Sequence, residues 1–141
     1  MNYWNTIFTR ANVWIYQISN GHLGNRLGKQ SILLLHTTGR KSGKRYVTSL
    51  TYFRDGASYL LVASNWGKET HPDWYMNLMK QPRTAIQVGP NILQVEAQQA
   101  QGEEYQRLWK LVTDLNDQYV SYQKNLNRII PIVILTPQDQ A

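Results

Sequence analysis

The 141-residue chain has no cysteine. Disulfides, Cys-ligated zinc and a thiol nucleophile are therefore excluded. It has only three histidines, His22, His36 and His71, far apart in sequence, and no carboxylate pair has metal-ligand spacing. No metal site and no metal-assisted hydrolysis are expected. Gly-x-Ser-x-Gly, Gly-x-Gly-x-x-Gly and Walker A patterns are missing as well, which speaks against a serine hydrolase, a dinucleotide fold and a P-loop. No apolar run reaches the ~18 residues a membrane-spanning helix needs. The beginning of the chain lacks a basic stretch followed by an apolar one, so no secretory signal is expected. The expected location is cytoplasmic, with membrane association as a variant of it. Low-complexity tracts and internal repeats are missing too. Acid is unevenly scarce: no Asp or Glu precedes Asp55.

What is present is cationic. The formal net charge is +6, and Arg10, Arg26, Lys29, Arg40, Lys41, Lys44, Arg45 and Arg54 all fall before the first acid. That half is built to meet an anion: nucleic acid, an anionic membrane or a phosphorylated small molecule. The length suits one domain, 1–141, with an N-terminal helix over 1–20 and a barrel with flanking helices over 31–137.

Periodicity supplies the elements. Trp4, Ile7, Phe8, Ala11, Trp14, Ile15 and Ile18 follow helical spacing, with a stop at Asn20-Gly21. The expected place for this stripe is on the core, and the sharper alternative is a membrane surface, since two tryptophans lie on it. Strands are expected at Ser31–His36, Tyr46–Phe53, Tyr59–Ala63, Thr84–Val88, Ile92–Ala97 and Ile129–Leu135, several in consecutive hairpins. Helices are expected from His71-Pro72 to Lys80 and from Glu103 to Leu115. About six mostly hairpin-linked strands predict a small antiparallel barrel with appended helices.

Four polar features could carry chemistry. In Thr37-Thr38-Gly39-Arg40-Lys41-Ser42-Gly43-Lys44-Arg45, two glycines bracket Arg40, Lys41 and Ser42 directly after a buried strand. Such a loop can turn its amides into an anion nest, with a guanidinium fork, an ammonium and a hydroxyl added, or it can simply be a solvated basic turn. The second is Ala63-Ser64-Asn65-Trp66-Gly67 after a strand. In the third, His71 to Leu78, Trp74 and Asn77 share a helical face and could flank a planar heterocycle, or Trp74, Tyr75 and Leu78 could pack as ordinary core. The fourth, Tyr119-x-x-Tyr122, could bury its rings or line a pocket and donate a proton.

Taken in order, these segments resemble the deazaflavin-dependent nitroreductase family. The likeness runs through Leu33–Gly43, Asp55-Gly56, Leu60–Ser64, His71-Pro72-x-Trp74-Tyr75-x-Asn77-Leu78, Gln81-Pro82, Tyr119-x-x-Tyr122-Gln123, Arg128 and Ile130–Leu135, from about residue 3 to residue 137. The resemblance implies a split β-barrel, of the kind related to FMN-binding barrels, that uses reduced coenzyme F420 to pass a hydride to a quinone, an enone or a nitroaromatic. It also implies residue roles. Arg40, Lys41, Ser42 and Gly43 would hold the coenzyme's phosphate and acidic tail. Ser49, Leu50, Ala63 and Ser64, with Asn65, Trp66 and Gly67 after them, would run along the cofactor. Trp74 and Asn77 would border it, and Tyr119 and Tyr122 would face the acceptor. The chain departs from the family pattern at Asn65-Trp66-Gly67, which has one cation and one glycine fewer, and at Asn116, where some members carry a further tyrosine. The alternatives are FMN, haem or another tetrapyrrole on the same barrel, and a non-enzymatic basic module. Binding of nucleic acid by such a module is not expected, because the cations are not interleaved with an aromatic platform. The expected partners are a small-molecule substrate and, through the N-terminal helix, a membrane surface, with the chain as monomer or homodimer.

Overall fold

The computed structural model describes residues 3–27 and 30–138, with backbone alone for 3–9 and 27. The elements are α1 (Tyr3–Ile18), β1 (Arg26–Leu27), β2 (Gln30–Thr38), β3 (Arg45–Asp55), β4 (Ser58–Val62), a 3-10 turn (Asn65–Gly67), α2 (Asp73–Lys80), β5 (Arg83–Val88), β6 (Asn91–Gln99), α3 (Gly102–Leu115), α4 (Gln118–Lys124) and β7 (Ile132–Pro137). Strand order β2-β3-β4-β7-β6-β5, with β5 pairing back to β2, closes a six-stranded antiparallel barrel, and the short β1 lies outside β2. Closure removes most of the free edge a six-stranded sheet would have, which relieves the hazard of unpaired strands. The β5–β2 seam is short, comprising Leu34↔Gln87 and Leu35↔Ile86.

Period-two alternation decides what faces inward. Leu33 and Leu35 of β2, Leu61 of β4, Ile86 of β5, Val95 of β6 and Val133 and Leu135 of β7 fill the barrel, and Trp74, Tyr75 and Leu78 of α2 pack against them. The alternate residues Leu60 and Ile132 face out beneath α3, where Leu108 and Val112 cover them. Ile32 and Leu34 face out beneath α1.

Local chemistry sets the ends of the elements. The Asn20 N–H bonds to the Gln17 carbonyl and the Gly21 N–H to that of Tyr16, with φ of 54° at Asn20 and 80° at Gly21. This is the paired C-terminal motif that a left-handed Asn-Gly allows, at the stop the sequence predicts. Asp73 opens α2 and Lys80 closes it, matching the helix dipole. Val88↔Asn91 leaves Gly89-Pro90 as a two-residue turn.

The described helices include none long and apolar enough to cross a membrane. Two expectations are corrected, and one segment the sequence left open takes a definite state. The last strand begins at Ile132 rather than Ile129, because Pro131 has no N–H to give a ladder, and Ile129 is exposed. Tyr119–Gln123, of uncertain state in the sequence, is helical. The stripe on α1 does not lie on the core: Ala11, Trp14, Ile15 and Ile18 are exposed, while Asn12 and Tyr16 are buried. Trp4, Ile7 and Phe8 belong to the same expected stripe, but their side chains lie outside the described ones, as does Lys29.

Candidate functional site

The β2–β3 hairpin and α2 enclose a cleft of about 400 Å³ at one mouth of the barrel. Register explains its floor. Leu33↔Leu50, Leu35↔Thr48 and Thr37↔Tyr46 are paired across β2 and β3. The inward face therefore changes from leucine in the depth to Thr37, Thr48 and Tyr46 at the mouth, and all three line the cleft. Sequence reasoning included Thr37 in the cationic segment without giving it a role, and missed Tyr46, Thr48 and Asp73. The signal was available, since continuing the inward period of Leu33 and Leu35 by one step reaches Thr37. The Thr37 side chain is 3% exposed and its Oγ1 finds no hydrogen-bond partner. A buried hydroxyl without a partner is uncommon, and in a cleft it points to a ligand atom.

The cationic turn forms the rim. Gly39 and Lys44 close it through Gly39 N–H to Lys44 O, 2.7 Å, and the Lys44 N–H bonds to Ser42 Oγ, 3.1 Å. Ser42 thus keeps its hydroxyl proton to give elsewhere. Gly43, with φ of 72°, supplies the left-handed step that an L side chain resists. Arg40 does not hang free. Its amide (3.1 Å) and Nη1 (2.8 Å) both donate to Oδ1 of buried Asn77, and Nη2 meets Asp73 at 3.1 Å. Lys80 donates to the Arg40 carbonyl, 3.1 Å. Arg40 therefore ties the turn to α2 while lining the cleft. Lys41 also lines it, is exposed, and has no ion-pair partner among the described residues.

Of the residues the sequence proposes, Arg40, Lys41, Ser42, Trp74 and Asn77 converge on this cleft. The others lie elsewhere. Leu50 points inward but deeper, into the core. Ser49 faces α1 and accepts a hydrogen bond from Asn12 Nδ2, 2.6 Å. Ala63, Ser64, Asn65, Trp66 and Gly67 form the loop after β4, and Tyr122 packs on it. A Cβ at Gly67 would sit 2.7 Å from Tyr122 Cδ1, so glycine is what lets the ring approach that backbone closely. Tyr119 is buried among Leu60, Leu108 and Val112, edge-on to Phe53 at 6.1 Å between centroids. Burial, with Tyr122 adding to it, pushes its hydroxyl up to about 12. His71 rests on the Tyr75 ring, 4.9 Å between centroids, and burial with the Arg128 charge lowers its pKa. Among the described residues no three of His, Asp and Glu gather as metal ligands.

Comparison with known proteins joins this geometry to a chemistry. Residues 8–137 match the model of the F420H(2)-dependent quinone reductase family. An F420H(2)-dependent quinone reductase of Mycobacterium tuberculosis is 45% identical over 126 residues, covering 86% of this chain and 85% of that protein. The solved structure of an F420-H2 dependent reductase (FDR-A) is 36% identical, with a TM-score of 0.67 over 74% of this chain and 92% of that one. A second solved structure, described as a domain-swapped dimer, is 31% identical, with a TM-score of 0.71 over 93% and 98%. A match that spans the barrel from α1 to β7 leaves one conclusion: the chain is an oxidoreductase of the F420H2-dependent quinone reductase family.

Proposed function

We propose that the cleft between the β2–β3 turn and α2 takes the anionic handle of coenzyme F420, and that the loop after β4 and the Tyr122 side of α4 frame the place where a quinone-type acceptor meets it. The observation that carries this reading is the buried, unpartnered hydroxyl of Thr37 beneath a rim of Arg40, Lys41 and Ser42. A polyanionic group fits that donor set. Lys41 offers a mobile point charge, Arg40 a guanidinium already oriented by Asn77, and Ser42 and Thr37 offer hydroxyl protons.

When bound, F420H2 supplies the hydride that reduces the acceptor. The chain's own contribution is to bind, orient and donate protons. Trp74, buried beside Asn77, gives the cleft an apolar wall. Tyr122, half-buried on Gly67, holds a proton that an acceptor oxygen can take as negative charge develops. Tyr119 stays protonated at neutral pH, since its hydroxyl is pushed up to about 12, and it braces α4 on the core. Ser49 and Leu50 act through their backbone, with side chains committed to α1 and to the core.

Titration with oxidised F420 or FMN, followed by fluorescence, tests the assignment. Wild type is expected to bind F420 in preference to FMN. Arg40→Ala combined with Lys41→Ala is expected to lower F420 affinity by about ten-fold or more and to flatten its salt dependence. Unchanged affinity in the double variant would remove the turn from the site.

The exposed stripe of α1 supports a second part of the reading: a cytoplasmic protein that rests on an anionic membrane surface. Trp14 and Ile18 are each 63% exposed and lie beside a half of the chain with no acid before Asp55. An apolar quinone partitions into that phase. Trp14→Ser with Ile18→Ser should lose sedimentation with phosphatidylglycerol vesicles. Vesicle binding unaffected by the pair, or a dimer mass that the pair abolishes, would assign the stripe elsewhere.

A further inference from the structure

Arg128 lies on the segment between α4 and β7, outside the cleft. The opposite loop surrounds its guanidinium. Nε donates to the Lys68 carbonyl at 3.0 Å, Nη1 to that of Ala63 at 3.2 Å and Nη2 to that of Ser64 at 2.8 Å, while Nη1 lies 3.3 Å from Nδ1 of His71. Its backbone is held in turn. Gln123 of α4 donates from Nε2 to the Arg128 carbonyl and accepts at Oε1 from the Ile130 N–H, both at 2.8 Å. Nearby, the Asn127 N–H donates to Glu69 Oε1, 2.9 Å.

The loop needs such a hold. Asn65, Trp66 and Gly67 have φ of 51°, 58° and 80°, three left-handed residues in succession, which asparagine and glycine tolerate and a tryptophan resists. Trp66 is exposed, so burial of its ring does not offset the strain. Such a turn persists where its surroundings over-determine it. The carbonyls of Ala63, Ser64 and Lys68 are drawn to one side by Arg128. The N–H groups of Ser64, Asn65 and Trp66 meanwhile have no acceptor among the described residues. The step from Ser64 (φ −75°) to Asn65 (φ 51°) is the right-then-left sequence that points successive amides into one concavity.

We infer that Arg128 is a positioning residue for the hydride carrier: it grips the 63–68 loop by its carbonyls, leaves the amides of Ser64, Asn65 and Trp66 free for an electronegative edge of the carrier, and through Gln123 keeps Tyr122 in register with them. The inference rests on the F420 reading above. Lysine preserves the charge but replaces a planar fork with a point, so it cannot serve three carbonyls in this geometry.

The test combines F420 fluorescence titration with residue-resolved amide exchange. Arg128→Lys and Arg128→Gln are expected to bind oxidised F420 about ten-fold more weakly or worse. Exchange should rise at Ala63, Gly67 and Lys68, whose amides are bonded in the wild-type loop, and stay as in wild type across the rest of the barrel. Wild-type affinity in both variants overturns the inference, and so does exchange raised evenly across the barrel, the sign of a merely structural role. The wild-type chain gives a reading that needs no variant to fold: the amides of Ser64, Asn65 and Trp66 should gain protection when F420 is added. F420 bound with those amides unprotected overturns this inference alone, whereas a wild-type chain that binds no F420 overturns the F420 reading and this inference with it.

Discussion

Two helices cover different walls of the barrel, α3 over β4 and β7 and α1 over β2 and β3. On α3 the middle of the apolar stripe goes inward: Leu108 and Val112 are buried on Leu60 and Ile132, while Leu115 at the end of the helix is exposed. On α1 the opposite face goes inward. Asn12 reaches Ser49, and the Tyr16 hydroxyl donates toward the carbonyls of Ile32 (3.2 Å) and Gln87 (3.1 Å) and accepts from the Gly89 N–H (2.7 Å). The difference lies in the walls. The wall beneath α3 is apolar and its ladder is complete. The wall beneath α1 runs beside the short β2–β5 seam, where backbone groups must be satisfied by something other than a strand. Left unpaired, the Ile32 and Gln87 carbonyls and the Gly89 amide would each cost about 1–3 kcal/mol, whereas apolar side chains turned outward are common on folded surfaces. Seam chemistry therefore outranks the stripe in deciding which face α1 turns inward.

That contrast can be broken, starting with its strongest support. A methyl at Gly21 would collide with the carbonyl of Gly89, and Gly21 already has a φ of 80°. Gly21→Ala is expected to cost about 4–5 kcal/mol or to detach α1 altogether. Urea midpoints and limited proteolysis of 1–24 report this, and a variant as stable as wild type would mean that α1 does not depend on the seam. Leu108→Ala should cost about 3 kcal/mol by opening a cavity under α3, with m unchanged. A cost below about 1 kcal/mol would make α3 as loosely packed as the outer face of α1. Smallest of all, Trp14→Ser with Ile18→Ser should shift stability by no more than about 0.5 kcal/mol, because both side chains already face outward. A larger loss would put the stripe on a protein surface.

Much of the site was legible before any fold was in hand. The cluster Gly39–Gly43 marks itself by charge and glycine, and Trp74 with Asn77 by helical spacing. These signals, five and four residues long, survive because a hairpin turn and one face of a helix are local objects. Thr37, Thr48, Tyr46 and Arg128 were harder to find. The first three owe their place to β2–β3 register, which a strand does not announce on its own. Arg128 stands 57 residues beyond the histidine it meets and 64 beyond the serine carbonyl it holds.

The sequence alone determined most of the element list, though not β1 or the state of α4, together with the turn chemistry and the cationic rim, because propensity, capping and periodicity act over a few neighbouring residues. It also determined the family, through blocks that keep their order and spacing. Only the tertiary structure decided which face of α1 turns inward, which hydroxyl lies unpartnered at the floor of the cleft, and that one guanidinium gathers three carbonyls from a loop remote in sequence. Each of those outcomes depends on which buried polar groups find partners, and that is settled only when distant segments meet.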